Sequence, residues 1–155
     1  MLKPDVIAWF DGTEHDFLSN FHASPIRAYD ELLDGFVDVP TVEHGFQADK
    51  TVDFTVRKRI LGALDPGLAK QLGRRCSLRE DWETIKIGRM HNWLRLKFAI
   101  PDLQRQLLAT GDAVLIEGNS WGDRVWGQVD GIGQNWLGRL LMNVRAEIRE
   151  TAQCR

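Results

Sequence analysis

A chain of 155 residues, 43% hydrophobic and 27% charged, has the size and make-up of one globular domain with a real core. Its net charge of −2 argues against a grip on bare nucleic acid through phosphate neutralisation, so strong binding to unmodified DNA or RNA is not expected. No stretch is long and apolar enough to span a bilayer, and Lys3, Asp5 and Asp11 place charge too early for a signal peptide, so the expectation is a cytoplasmic protein with no membrane partner.

In chain order, the apolar run Val6 to Phe10 has strand length. Phe36 to Val39 is a second such run, with Gly35 marking a turn before it. Thr41, just after Pro40, is a good N-cap, and Glu43 suits the first turn of a helix that should run over 41–61. Asp65-Pro66 reads as N-cap and first residue of a short helix ending at Gly73. Ser77-Leu78-Arg79-Glu80 has capping-box form, and Ile87, Met90, Leu94 and Phe98 then follow at helical spacing. Pro101 starts a helix that stops near Thr110-Gly111, and a short strand is expected over 113–117. Residues 118–134 read as a loop. Asn135 then caps a last helix whose core stripe is Leu137, Leu140, Leu141, Val144 and Ile148. The prediction is a mainly α fold with a few short strands (α+β), a compact single domain that alternates too little to be doubly wound.

The first candidate constellation lies on the first long helix. Glu43, Gln47 and Lys50 are spaced i, i+4, i+7 and share a face beside Phe46. Two readings are open. One is an exposed ion-paired stripe of little energetic weight. The other is a pocket wall, with Glu43 as acid or base and Lys50 as anion ligand or amine nucleophile. A second constellation is Asn119-Ser120-Trp121-Gly122-Asp123-Arg124-Val125-Trp126-Gly127, either a binding loop or a local turn in which Asp123 bonds nearby backbone. A third, Gly131-Ile132-Gly133-Gln134-Asn135, is either a phosphate cradle at a helix start or a flexible connection with an Asn cap. Trp82, Lys86, Arg89 and Trp93 also share a helix face; Trp93 and Lys86 read as packing, and Trp82 as a pocket aromatic. The basic runs Arg57-Lys58-Arg59 and Arg74-Arg75 read as solvated helix faces.

Other chemistries lack support. His15, His22, His44 and His91 have no metal-ligand spacing, and no metal is expected. No serine sits in a nucleophile elbow, and no Walker A sequence occurs. Cys76 and Cys154 form neither a disulfide framework nor a zinc spacing. Nothing in the sequence speaks to oligomeric state.

Several segments taken together resemble the YbiA/NADAR family. They are Phe17-Leu18-Ser19-Asn20-Phe21, then Val42 through Lys50, then Asp81-Trp82-Glu83 with Lys86 and Met90, and Lys97-Phe98. Leu107 through Asp112, Asp123 to Gly127, and Gly133 to Met142 with Arg145 complete a series that runs in family order over about residues 8–150. The resemblance implies a YbiA-like, mostly helical domain that hydrolyses N-glycosidic bonds without a cofactor. It implies one of two substrates: ADP-ribosylated guanine in nucleic acid, or an early riboflavin-pathway intermediate in which ribose phosphate is joined to a pyrimidine amine. It implies catalytic roles for Glu43, Lys50 and Asp123 and substrate contacts from Asn20, Phe21, Gln47, Trp82, Trp126 and Asn135. Under the resemblance Lys50 either binds phosphate or forms a Schiff base with the opened sugar. Two departures stand out: Gly45 where a bulkier residue is expected after Glu-His, and Gln128-Val129-Asp130 where more glycine is expected. The alternative function is a module that binds ADP-ribose or a nucleotide without turning it over.

Overall fold

The computed structural model describes residues 5–154. The fold class is the predicted one, mainly α with a few short strands. The chain divides into two units, one formed by Asn20–Lys97 and the other by the residues up to Ser19 together with those from Phe98 on.

The first unit opens with a hairpin of strands β2 (Ile26–Asp30) and β3 (Gly35–Val39), paired antiparallel with Ile26 opposite Val39 and Asp30 opposite Gly35. β2 was not among the predicted strands. Helices α1 (Val42–Ala48), α2 (Phe54–Leu61), α3 (Pro66–Arg75) and α4 (Trp82–Lys97) follow, and α1 packs against each of the other three. Every residue of α1 is buried. The predicted caps form: Thr41 accepts from the His44 N–H, and Asp65 from the Leu68 N–H with Pro66 in the first turn. α3 continues to Arg75, beyond the Gly73 stop expected from sequence. α4 starts at Trp82, later than Ser77 would place it; the Asp81 carbonyl takes the Ile85 N–H, and the Asp81 carboxylate pairs with Arg79. Met90 and Leu94 are core as predicted, and Phe98 is buried one residue past the helix end.

The helix predicted over 41–61 is two helices. α1 stops at Ala48, and Asp53 caps α2 by accepting from the Val56 N–H. The break is tied down by a buried ionic cluster. Arg57 on α2 donates to Asp30 (Nε, 2.6 Å), to Asp49 (Nη2, 2.9 Å) and to the Ala48 carbonyl (Nη1, 2.5 Å). Asp49 also accepts from the Trp93 indole N–H at 2.7 Å, and Asp30 from the backbone N–H groups of Leu32 and Leu33. Arg57 is therefore a buried structural cation. Only its neighbours Lys58 and Arg59 fit the solvated-face reading of that basic run.

The second unit holds β1 (Val6–Ala8), a 3-10 turn at Asp16–Leu18, α5 (Pro101–Ala109), β4 (Val114–Ile116) and α6 (Trp136–Gln153). β1 pairs parallel with β4, Ile7 opposite Leu115. Leu137, Leu140, Leu141 and Val144 of α6 are buried as the periodicity predicts, and Ile148 is half-buried. Arg145 donates to Thr110 Oγ1 and to the Ala113 carbonyl, which fixes α6 to the α5–β4 connection.

Replacing Arg57 by Leu leaves Asp30 and Asp49 buried without their cation. We expect a loss of about 3–5 kcal/mol in unfolding free energy, read from urea titration by circular dichroism.

Candidate active site

Glu43 enters the interior because α1 is enclosed on all sides. Its backbone N–H donates to the Asn20 carbonyl at 3.1 Å, and its side chain is 5% exposed. A buried polar helix has to account for each of its polar groups. His44 does so through Thr41 Oγ1 on Nδ1 (2.8 Å) and the Ala63 carbonyl on Nε2 (3.1 Å). A carbonyl only accepts, so Nε2 carries the proton and His44 is a structural brace. Gln47 Nε2 donates to Glu43 Oε1 at 2.7 Å. Two acceptors, Gln47 Oε1 and Asn20 Oδ1, are buried without a hydrogen-bond partner. The Asn20 Nδ2 contact is the Met90 sulfur at 3.5 Å.

The exposed-stripe reading of Glu43, Gln47 and Lys50 is therefore overturned, since the first two are inside. Lys50 lies past the end of α1, in the turn held by its own N–H to the Gln47 carbonyl and by the Arg79 N–H to its carbonyl. It is half-buried, with Nζ 5.8 Å from the Phe46 ring centroid. Phe46 in turn meets Trp82 at 5.1 Å, and Trp82 is buried beneath it. Phe21 is more open, 39% exposed, and the Lys70 ammonium stands 5.5 Å from its ring. Asn20, Phe21, Glu43, Gln47, Lys50 and Trp82 thus all lie in the one unit.

The electrostatics follow from burial. Desolvation raises the Glu43 carboxyl above its ordinary value, against the opposing pull of the Gln47 hydrogen bond and of Lys70, Lys50 and Arg74. Desolvation lowers the Lys50 ammonium, with Glu43 opposing and with Arg74 and Lys70 adding to the fall. Burial also raises the Cys76 thiol, so it is held as a thiol rather than a thiolate. The arrangement is an acid kept toward neutrality beside an amine pushed toward its free base, a pair suited to proton transfer and nucleophilic attack.

α3 packs along α1 and comes closest to Gln47, the partner of Glu43, at Gly73. A Cβ on Gly73 would lie 2.0 Å from Gln47 Oε1, so the helix backbone can lie against the amide only because residue 73 has no side chain. A separate cavity of about 250 Å³ is lined by Tyr29, Arg57, Arg79, Arg89, Trp93 and other residues, and includes neither Glu43 nor Lys50. Its deepest polar groups, Arg57 and Asp49, are already bonded to each other.

Asp123, Trp126 and Asn135 lie in the other unit. Asp123 Oδ1 accepts from the N–H groups of Val125 (3.0 Å) and Trp126 (2.9 Å), the local-turn geometry, while Asn119 braces the same turn from both sides. Trp126 is half-buried. Asn135 does not cap α6 with its side chain. It sits at φ 51° and bridges Glu117 N–H and Leu115 carbonyl instead. The phosphate-cradle reading of the glycine segment fails because the first N–H groups of α6 are taken: Trp136 donates to Val125 and Leu137 to Trp126. The segment is entered through a hydrogen-bonded turn. Asp130 and Gly131, both at positive φ, make a two-residue turn closed by reciprocal Val129–Ile132 bonds. Among the described residues no group of three or more His, Cys, Asp or Glu is placed to hold a metal ion, and no helix is long and apolar enough to cross a membrane.

Sequence reasoning did not single out Lys70, took Gly73 only as a helix end and read Arg74 only as part of a solvated face. The spacing Lys70, Gly73, Arg74 puts them on adjoining parts of α3, a signal only once α3 is known to face Glu43.

A small mainly helical fold that buries a carboxylic acid with a raised pKa beside an amine with a lowered one has the make-up of an acid–base enzyme. The match of residues 9–149 to the NADAR domain narrows that class, and the chain belongs to the NADAR family. It is similar to N-glycosidase YbiA of Escherichia coli, 39% identical over 150 residues that cover 93% of this chain and 89% of the relative. It is 43% identical to an N-glycosidase of Nostoc punctiforme over 117 residues, 70% of this chain and 74% of that one. A chloroplastic riboflavin biosynthesis protein of Zea mays is 38% identical over 147 residues, which are 86% of this chain and 23% of the plant protein. The NMR structure of E. coli YbiA superposes with a TM-score of 0.82 at 34% identity, covering 99% of this chain and 90% of that one.

The raised carboxyl makes a test of the site independent of any substrate. A folded-state acid pKa above the unfolded one means stability falls as pH rises from the unfolded value toward the folded one. Glu43→Gln is expected to raise Tm at neutral pH, by about 2–4 °C per kcal/mol recovered, with the gain vanishing below about pH 4 as Glu43 becomes protonated in both states. Calorimetric scans of both proteins across that range check it.

Proposed function

We propose that this chain hydrolyses the N-glycosidic bond between a ribose phosphate and the amine nitrogen of a pyrimidine, an intermediate of the riboflavin-pathway type. The observation that carries the chemistry is the buried Glu43 carboxyl held toward neutrality beside the desolvated Lys50 amine. The substrate class draws on the relatives named for N-glycosidase activity and for riboflavin biosynthesis.

In this reading the Lys50 amine pair bonds to ribose C1 as the C1–N bond to the base breaks. Glu43 gives its proton to the departing nitrogen, whose lone pair would otherwise make it a poor leaving group. Water then adds to C1, its proton returning to Glu43, and the lysine leaves as the free amine. One water is consumed, and both side chains end as they began. Gln47 orients the Glu43 carboxyl through its 2.7 Å bond. Asn20 Oδ1 and Gln47 Oε1 are acceptors for substrate N–H or O–H groups, and Phe21 offers an exposed ring on which a base stacks. Trp82 backs this wall from beneath Phe46.

Mass spectrometry of products from the phosphoribosylamino-pyrimidine, run beside an ADP-ribosylated guanine oligonucleotide, tests the reading. Ribose phosphate should appear from the first with wild type, with Glu43→Gln and Lys50→Arg each slower by about 10²–10⁴-fold. Wild-type rates in Glu43→Gln would sink the assignment. ADP-ribose released from the oligonucleotide alone would transfer the activity to that substrate, and tight binding with no turnover of either would make the chain a binding module.

Asp123 is proposed as a second catalytic carboxylate, able to stabilise positive charge on the sugar. Asp123→Asn keeps the Oδ1 acceptor for Val125 and Trp126, so Tm should hold while kcat falls at least about tenfold; Asp123→Ala should lose about 1 kcal/mol of stability as well. Thermal melts paired with turnover separate the loop-bracing role from the charge.

A further inference from the structure

Gly73 sits in the last turn of α3, where a glycine weakens a helix relative to alanine. It is buried, and a Cβ there would meet the Gln47 side chain at Oε1 (2.0 Å), Cβ (2.9 Å) and Cδ (2.9 Å). The nearest of these is the amide oxygen, so the Cα of Gly73 faces Gln47 Oε1. That oxygen is buried and has no hydrogen-bond partner among the described residues. The nitrogen of the same amide is committed to Glu43 Oε1 at 2.7 Å.

The two orientations of that amide are not equivalent against α3. With the oxygen toward Gly73, a Cα–H offers it a weak contact. Turned over, the amide would present its N–H donors to a carbon that accepts nothing, and orphaned buried donors are tolerated less than under-satisfied acceptors. Its oxygen would then face Glu43, repelling the carboxylate or trapping the acid hydrogen between the two side chains. Gly73 thus decides which end of Gln47 meets the acid. Because Glu43 Oε1 accepts the amide N–H, it is the oxygen without the hydrogen when the acid is neutral.

We propose that Gly73 is a positioning residue for the acid: by holding the Gln47 amide with its nitrogen toward Glu43, it places the transferable proton on Glu43 Oε2. The use of that proton rests on the hydrolase reading, whereas its place rests on packing alone. In the reaction Oε2 gives its proton to the departing nitrogen as the C1–N bond breaks, and the proton of the added water returns to Oε2. Glu43 Oε1 keeps the Gln47 bond in both steps. Lys50 acts on Glu43 from the turn after α1, and Lys70 and Arg74 act on it from α3. α2 brings Arg57 to Asp49, α4 brings Trp82 to Phe46 and Met90 to Asn20, and His44 is held by Thr41 and Ala63. The Gln47 N–H favours the charged acid, so its loss moves the Glu43 carboxyl further up.

Carbon-13 NMR of protein labelled at the glutamate carboxyls tests this without substrate, the Glu43 signal being the one absent from Glu43→Gln. Gly73→Ala should move the Glu43 titration midpoint upward, because the new methyl displaces the amide, and Gln47→Met should move it the same way. Gly88→Ala, whose Cβ meets nothing within 4 Å, should leave it in place. A Gly73→Ala protein that melts lower yet titrates Glu43 as wild type does overturns the proposal, as does a shift in Gly73→Ala with none in Gln47→Met. One observation needs no variant to fold: in wild type the Gln47 side-chain NH2 should show no close NOE to the Gly73 Hα, and a strong one means a turned-over amide and sinks the idea. The kinetic arm uses the phosphoribosylamino-pyrimidine. There kcat should fall at least about tenfold in Gly73→Ala with KM little changed, and the alkaline limb of the kcat profile should rise with the NMR midpoint. A limb that stays put while the midpoint moves also overturns it. A wild type with these NMR signatures and no turnover would support the placement of the proton and count against the hydrolase reading alone.

Discussion

The guanidinium of Arg57, shut away from water between Asp30, Asp49 and the Ala48 carbonyl, decides where α1 ends. A helix running on through residues 49–53 would carry Asp49 and Lys50 around with it. The Ala48 carbonyl is taken by Arg57, and Asp49 is held in place by Arg57 and the Trp93 indole, so the chain turns at Asp49 and restarts under its own cap at Asp53. That turn sets Lys50 on the Glu43 side of the break. Such a cluster is a costly way to gain stability, since two carboxylates and a cation lose their hydration together. Its value here is positional: one arginine ties the hairpin strand β2, the end of α1 and the start of α2 to a common point.

The same unit accepts a second cost at Glu43. Burial favours the neutral acid, and no arginine is brought in to neutralise it as Arg57 neutralises Asp49. Lys50, Lys70 and Arg74 act on it electrostatically and Gln47 supplies one hydrogen bond, but burial outweighs them and the carboxyl is raised above its ordinary value. The contrast between two acids on one short helix, Asp49 fully paired and Glu43 not, separates scaffold from chemistry more sharply than either residue's burial does.

Local signals carried most of the helical outline. Thr41, Asp65-Pro66 and Pro101 announce helix starts because capping and proline geometry depend on neighbours in sequence, and the α6 stripe is legible because every turn faces one core. What escaped depends on partners far along the chain. β2 ends inward on Asp30, a buried acid that spoils the apolar alternation until Arg57 is known to meet it. The break in the long helix escaped for the same reason, although Asp53 ahead of Phe-Thr-Val is a capping signal that local reading does contain. At the site, the Glu43–Gln47 spacing was legible as a shared face, but whether that face looked at water or at the interior depended on α3 and α4. Asn135 had the right residue type for a cap and a different task, pinning β4 through Leu115 and Glu117.

Gly45, the departure from the family pattern within the Glu-His segment, has its explanation in volume. A methyl group there would stand 2.5 Å from the Trp93 indole, whose N–H serves Asp49. Positions 45 and 93 therefore share one space, and evolution has to treat them as one locus. A lineage that enlarges residue 45 must first shrink residue 93, and must then find Asp49 another donor before the larger side chain is tolerated. The reverse order passes through a chain that cannot close α4 onto α1. Relatives with a bulky residue after Glu-His are thus expected to lack this tryptophan, and a graft of their segment into this chain succeeds only when both positions travel together.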